Sequence, residues 1–114
     1  MATFTHGALA HFDIAGQDTA ATGAFYADLF GWTVDPKGPG YALVTTPDGG
    51  PNGAVMEAEA PGLTLGIAVT DLEETLAKVG AARGRIVMPA TDNGWVKKAQ
   101  ISDPDGNTVT LIEI

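Results

Sequence analysis

The sequence predicts an α+β fold built from two tandem β-α-β-β-β modules within one domain, residues 1–114. The same order of segments occurs twice, over residues 8–60 and again over 62–114, with corresponding points about 54 to 57 positions apart. Each copy has one helical and four β-rich segments, and each has a Pro-Asp-Gly turn before its last strand. Duplication at this period limits the possible topologies. Strand-rich copies with one helix each are typical of α+β proteins.

The β-rich segments are separated by glycine and proline turns. Alternation over residues 9–16 predicts a strand in which His11 and Asp13 share one face, because side chains at i and i+2 point the same way. Pro36 and Pro89 are expected to end the strands before them, since proline cannot donate to a ladder. Residues 1–7 are expected to be a loose lead-in. The predicted strands are 9–16, 32–35, 41–46, 53–59, 63–69, 85–88, 95–102 and 108–114.

The first helix has signals at both ends. Asp18 can accept hydrogen bonds from the free N–H groups of the first turn, and Gly31 suits the left-handed residue that ends a helix. Between them Ala21, Phe25 and Leu29 recur at every fourth position. This spacing predicts a buried apolar stripe.

The second helix is predicted from Asp71 onward. Asp71 and Glu74 match a capping box, in which each side chain bonds the backbone N–H of the other. Leu72, Leu76 and Val79 form its expected buried stripe.

The composition describes an ordinary globular chain without cysteine chemistry. Its 114 residues and apolar fraction of 45% suit one core. The absence of cysteine excludes disulfides, thiolate metal sites and cysteine nucleophiles. A net charge of −8 argues against nucleic-acid and anionic-membrane partners. The sequence shows no signal-peptide pattern and no run long enough to span a membrane, so we expect a cytoplasmic protein.

Three motifs are specific in combination. They are His11-Phe-Asp-Ile, the run from Phe25-Tyr26 to Phe30-Gly31-Trp32, and Asp103-Pro-Asp-Gly-Asn107. Together they resemble the vicinal oxygen chelate superfamily, which includes glyoxalase I, extradiol dioxygenases and bleomycin-resistance proteins. The resemblance implies a curved half-barrel cleft for a small-molecule ligand, often completed in a homodimer.

The resemblance also implies where metal-dependent relatives hold an ion. Those proteins use the first and last strands of each module, and here these places fall on His11, near Thr45, on Leu65 and on Thr110. His11 alone is a usual ligand type, whereas a stable divalent site needs three or more protein donors. We therefore predict no metal and no cofactor, with a metal completed across a dimer as the alternative.

His11 and Asp13 are the candidate catalytic residues. Imidazole is a common general base, and a carboxylate on the same strand face could orient it. The alternative is structural: a histidine that only lines the cleft, and an acid satisfied by a neighbouring strand or a dimer partner. Further candidates for ligand contact, for which core or dimer packing is the alternative, are Tyr41, Thr45, Met56, Leu65, Trp95, Gln100 and Thr110.

The preferred hypothesis is metal-independent binding of a small organic molecule, with possible acid–base chemistry at His11. A second is a bleomycin-resistance-type protein that sequesters a cationic drug, which the acidic charge permits. A third is a metal-dependent lyase, epimerase or dioxygenase. A purely structural or partner-binding role is the fourth.

Overall fold

The computed structural model describes residues 4–114, and in this range the chain forms eight strands and two helices. Both modules follow the order β-α-β-β-β, which confirms the predicted α+β class and the tandem modules. Neither helix within this range has the length and apolarity needed to cross a bilayer. The elements are β1 (Leu9–Gly16), α1 (Thr19–Phe30), β2 (Thr33–Gly38), β3 (Tyr41–Thr45), β4 (Gly53–Glu57), β5 (Gly62–Val69), α2 (Leu72–Val79), β6 (Arg85–Asp92), β7 (Lys97–Ser102) and β8 (Thr108–Glu113).

The chain divides into two compact units. One unit, residues 11–64, contains most of the first module, and the other, residues 65–114 together with the described N-terminal residues, contains most of the second. Among those N-terminal residues the Gly7 N–H donates to the Ala68 carbonyl at 2.7 Å, and the Thr70 N–H donates to Nδ1 of His6 at 3.2 Å. The lead-in is therefore bonded to the second module rather than loose, and its residues 1–3 lie outside the described range.

In the first module the strands follow the order β2-β3-β4-β1. β1 runs parallel to β4, with Ile14 beside Val55, and β3 runs antiparallel to β4. The core consists of Ile14, Val44 and Val55, against which Tyr26 and Trp32 pack. Both predicted helix signals are confirmed. Oδ1 of the Asp18 N-cap accepts from the Ala21 N–H at 3.0 Å, and Gly31 ends α1 with φ of 73°.

The predicted apolar stripe of α1 is wrong. Phe25 and Leu29 are 52% and 62% exposed, and the buried residue of the helix is Gly23. A Cβ at Gly23 would lie 3.2 Å from Cγ1 of Val34, so glycine lets the helix approach the sheet closely. Tyr26, three residues on, stacks on Trp32 with ring centroids 4.9 Å apart. The side of α1 that carries Gly23 and Tyr26 therefore faces the core, instead of the side that carries Phe25 and Leu29.

In the second module the strands follow the order β5-β8-β7-β6. Leu72, Leu76 and Val79 of α2 pack with Leu111, which confirms the predicted stripe. The N-cap is confirmed as well, because Oδ1 of Asp71 accepts from the Glu74 N–H at 3.0 Å.

The other half of the predicted capping box is wrong. The Glu74 carboxylate pairs with Lys78 at 3.3 Å. A free N–H of the first turn, that of Leu72, donates instead to Oε2 of Glu113 at 2.8 Å. A residue distant in sequence therefore completes the cap.

Two strands run through the prolines that were expected to end them. Pro36 lies inside β2 and Pro89 inside β6. Each of these strands is an edge strand, with a neighbouring strand on one side only. A proline, which has no N–H, removes no ladder hydrogen bond on the side that has no neighbour. Each ladder also shows a register shift close to its proline. In β7 the predicted start was early, since the strand begins at Lys97 rather than Trp95.

Candidate functional site

The first module's sheet has one face packed on α1 and one face free of it. Ile14, Val44 and Val55 point towards α1, and alternation therefore sends the residues between them to the other side. We call this other side the open face. Asp13 lies beside Ala54 there, and Met56 lies beside both Ala15 and Tyr41. Its principal residues are His11, Asp13, Tyr41, Leu43, Thr45, Ala54 and Met56.

His11 and Asp13 form a contact on the open face. Nε2 of His11 lies 3.0 Å from Oδ1 of Asp13, and the two side chains are 31% and 25% exposed. An ionised carboxylate can only accept a hydrogen bond, so the form of His11 that satisfies this contact is the one that carries its proton on Nε2 and donates it to Asp13. In a neutral ring of that form, Nδ1 is the nitrogen that can accept a proton. The pair thus has the form of a base held by an orienting carboxylate.

Apolar and aromatic side chains on β3 and β4 share this face with the pair. Tyr41, Leu43 and Met56 are each a little more than one third exposed, and Ala54 is fully buried beneath its neighbours. Such a surface next to a few polar groups is typical of sites for small organic molecules. Leu43 was missed in the sequence, although period-two alternation between Tyr41 and Thr45 would have placed it on this face.

The remaining candidates lie in the second module. Gln100 and Thr110 are paired across β7 and β8, and Nε2 of Gln100 donates to Oγ1 of Thr110 at 3.5 Å. Leu65 does not share their face, because Gly66 is the residue paired with Thr110 and its neighbour points to the other side. Trp95 lies in the turn before β7 and is 83% exposed.

A separate concavity lies at the end of β1 and β4 in the first module. It measures about 330 Å³ and is lined by Gln17, Glu57, Ala58 and Glu59. Nε2 of Gln17 donates to the Glu59 carbonyl at 2.8 Å, which fixes one wall. None of the predicted site residues lines it. It is open, and no histidine is among its lining residues.

Comparison with known proteins identifies the family. The sequence profile of the Glyoxalase/Bleomycin resistance protein/Dioxygenase superfamily matches residues 8–111. The chain belongs to this superfamily. CFP32 of Mycobacterium tuberculosis, a protein named as a glyoxylase, is 34% identical over 116 residues, covering 87% of this chain and 42% of the relative. The anthracycline biosynthesis protein DauV of Streptomyces sp. (strain C5) is 30% identical over 128 residues, covering 93% and 46%.

The superfamily member described here therefore spans less than half the length of these curated relatives. Among solved structures, methylmalonyl-CoA epimerase from Mycobacterium tuberculosis matches with a TM-score of 0.75 and 20% identity, covering 99% of this chain and 92% of that one. At this identity the match shows the fold alone.

The strand registers within each module change the residues at two of the four predicted metal-ligand positions. The N-caps Asp18 and Asp71 are equivalent, and counting back seven residues from each pairs His11 with Thr64 rather than with Leu65. The strand partners agree, since Ile14 faces Val55 and Ile67 faces Leu111 at equivalent points.

The last strand of the first module requires a similar correction. That strand is β4, whereas Thr45 ends β3, so the counterpart of Thr110 is Ala54. Thr45 lies on the neighbouring strand, at the end of β3 and before the turn that leads into β4.

The residues at these four places do not form a usual donor set for a metal. They supply one imidazole, one methyl group and two hydroxyls, from His11, Ala54, Thr64 and Thr110. Within residues 4–114 there is no group of three or more His, Cys, Asp or Glu side chains that could hold an ion. In the same range every buried side-chain nitrogen and oxygen has a hydrogen-bond partner.

Proposed function

We propose that this protein binds a small organic molecule on the open face of its first module and transfers a proton there without a metal ion. The observation that carries the proposal is the 3.0 Å contact between Nε2 of His11 and Oδ1 of Asp13 on that face. A base oriented by a carboxylate and flanked by apolar surface is suited to removing a proton from a carbon acid.

The proposed step needs only the two side chains and the substrate. Nδ1 of His11 accepts the proton from a carbon next to a carbonyl group, and the electron pair of the broken C–H bond forms the enolate. Asp13 stabilises the imidazolium that results by accepting from Nε2–H. Return of a proton from Nδ1 to the same carbon restores the neutral ring. If the Nδ1 proton has first exchanged with water, the carbon takes up solvent hydrogen, and delivery to the opposite face of an enolate that has turned in the site gives epimerisation.

Independence from metals rests on the four equivalent strand positions. A methyl group at Ala54 and hydroxyls at Thr64 and Thr110 are poor substitutes for the carboxylates and imidazoles that hold divalent ions. One imidazole, from His11, is too few for a stable site.

The test is hydrogen–deuterium exchange in a carbon acid, measured by NMR in D₂O with chelator-treated protein. Methylmalonyl-CoA is the first probe, because a structural neighbour is its epimerase, and a panel of 2-oxo acids and α-hydroxyketones follows. We expect exchange that is unaffected by the chelator and that falls about 10²- to 10⁴-fold in His11→Ala, the usual contribution of a general base. Asp13→Asn should lower the rate by a smaller factor.

His6→Ala is the matched control, because His6 is the other histidine of the chain and bonds to Thr70 in the second module. Equal rates in His11→Ala and His6→Ala would remove the acid–base claim. Exchange that requires an added divalent ion would remove the claim of metal independence.

A second function, sequestration of a cationic aromatic drug, is favoured by two observations. The net charge is −8, and a relative at 30% identity is named for anthracycline biosynthesis. Tyr41, Leu43 and Met56 offer a surface for a planar ring system, and Asp13 offers a carboxylate for an amine.

Anthracyclines are fluorescent, so saturable quenching by the protein measures binding directly. Tyr41→Ala should weaken that binding, whereas Val87→Ala, at an exposed position on β6, should not. Identical titrations for both variants would contradict this function.

A further inference from the structure

Two of the three asparagines in the chain are followed by glycine. These two pairs are Asn52-Gly53 and Asn93-Gly94, and the third asparagine is Asn107. In an Asn-Gly pair the backbone nitrogen of the glycine can attack the side-chain amide carbon of the asparagine, because glycine has no side chain to hinder the close approach. The same reactive dipeptide therefore occurs twice, and the fold decides whether each copy reacts.

The first pair is held within the sheet of the first module. Gly53 begins β4 and has a strand partner on each side, Val44 of β3 and Phe12 of β1. It is buried, and a Cβ there would lie 2.3 Å from the Phe12 carbonyl oxygen. The Gly53 nitrogen cannot turn towards the Asn52 side chain unless β4 first separates from its neighbours. Opening of a strand that is paired on both sides costs free energy, so the fold protects Asn52.

The second pair lies in the turn between β6 and β7. Asn93 and Gly94 are both exposed. Gly94 has φ of 94°, and nothing lies within 4 Å of the position that its Cβ would occupy. A change of backbone torsion at Gly94 therefore displaces no packed neighbour. The structural barrier that protects the first pair is missing at the second.

The hydrogen bonds of this turn also lie at the atoms that would react. Oδ1 of Asp92 accepts from the Gly94 N–H at 2.9 Å, so a carboxylate lies at the proton that the attacking nitrogen must lose. Oδ1 of Asn93 accepts from the Val96 N–H at 3.0 Å. Negative charge that develops on this oxygen during the attack is stabilised by such a donor.

We propose that Asn93 is a site of self-modification, at which the folded chain forms a succinimide and then deamidates. The bond that forms joins the Gly94 nitrogen to Cγ of Asn93, and the bond that breaks is Cγ–Nδ2. The proton of the Gly94 nitrogen passes by way of Asp92 to the departing amide nitrogen, which leaves as ammonia. Water then opens the ring at one of its two carbonyl carbons and gives aspartate or isoaspartate at position 93. The reaction does not depend on the proposed function.

The products change the turn in two ways. Both add one negative charge to a chain whose net charge is −8. Isoaspartate also adds a methylene group to the backbone, because the main chain then passes through the Cβ of residue 93. The Asn93 N–H donates to the Val96 carbonyl at 3.1 Å, and Asp92 is paired with Lys97 just beyond it. A longer backbone alters this register, so isoaspartate should loosen the adjoining ends of β6 and β7.

Peptide mapping by mass spectrometry, after incubation of the folded protein at neutral to mildly alkaline pH, measures the reaction at each asparagine. We expect Asn93 to deamidate at least about tenfold faster than Asn52, because only Asn52 requires a strand to open. In urea the two rates should converge, since both pairs are then free of the fold. Asn93→Gln should remove the early products. Equal rates at Asn52 and Asn93 in the folded protein, or a faster reaction at Asn52, would overturn the proposal.

Asp92→Ala tests the route of the proton. In the folded protein this variant should react several-fold more slowly at Asn93 and at an unchanged rate at Asn52. In urea the difference at Asn93 should disappear, because the carboxylate is no longer held against the Gly94 N–H. Circular dichroism checks that the variant folds. An unchanged or higher rate at Asn93 in folded Asp92→Ala would overturn the role assigned to Asp92.

Discussion

Gly53→Ala should destabilise the protein at the strand pair that carries the candidate catalytic residues. Gly53 begins β4 and faces Phe12 of β1. A Cβ there would lie 2.3 Å from the Phe12 carbonyl oxygen and 2.7 Å from Cδ2 of its ring, below the 3.0 Å that real Cβ atoms keep. The backbone of one strand must therefore move. Overpacking of this kind costs about 1 to 3 kcal/mol, less the roughly 0.4–1 kcal/mol gained when alanine restricts the unfolded chain.

The measurement is urea unfolding of Gly53→Ala beside Gly16→Ala. Gly16 ends β1 and pairs with Glu57 of the same strand pair, yet a Cβ there meets nothing within 4 Å. We expect the free energy of unfolding of Gly16→Ala to equal or slightly exceed that of the wild type. Since Phe12 lies between His11 and Asp13, Gly53→Ala should also lower the exchange rate. Equal free energies of unfolding for the two variants would refute this account of the close contact.

Three further substitutions test other parts of the fold. Leu72→Ala should cost about 2–5 kcal/mol in urea unfolding, because Leu72 is fully buried in the second module's core. Glu113→Gln should cost about 1 kcal/mol by weakening the charged hydrogen bond to the Leu72 N–H, and an unchanged unfolding midpoint would show that the cap is unimportant. Asp103→Asn should destabilise the turn before β8, where hydrogen bonds, chiefly from the Asn107 side chain and then from backbone N–H groups, lower the pKa of Asp103 below its ordinary 3.8. Because that pKa is lowered, the carboxylate stabilises the fold fully above about pH 4 and loses its effect as the pH falls through the lowered pKa. The melting temperature of the variant should thus lie below that of the wild type at neutral pH, and this difference should narrow only on acidification. Thermal unfolding measured from neutral to acidic pH checks this.

Local signals identified most of the secondary structure because they act within a few residues. Asp18, Gly31 and Asp71 cap helices through bonds to their own turns, so their roles follow from residue type and position. The contact of His11 with Asp13 follows in part from strand alternation, which put both side chains on one face. None of these requires knowledge of a distant segment.

Three of the errors depend on segments distant in sequence. Pro36 and Pro89 are tolerated because their strands have a neighbour on one side only, which depends on strand order. The buried side of α1 is decided by the fit of Gly23 against Val34. The cap from Glu113 to α2 joins residues 41 positions apart.

The metal-ligand places depended on matching the two modules without knowledge of their strand registers. Leu65 lies one position beyond Thr64, the counterpart of His11, and Thr45 lies on β3 rather than on β4, where Ala54 is the counterpart of Thr110. The correction changes the residues but still leaves His11 as the one imidazole among the four places.

Amide chemical-shift mapping of chelator-treated, ¹⁵N-labelled protein titrated with methylmalonyl-CoA, and in parallel with an anthracycline, tests the central claim most directly. The account predicts that the largest shifts occur at residues of the open face, among them His11, Asp13, Tyr41 and Met56, without any added ion. Shifts confined to Gln17 and Glu59 at the other concavity, or shifts that appear only after a divalent metal is added, would contradict it.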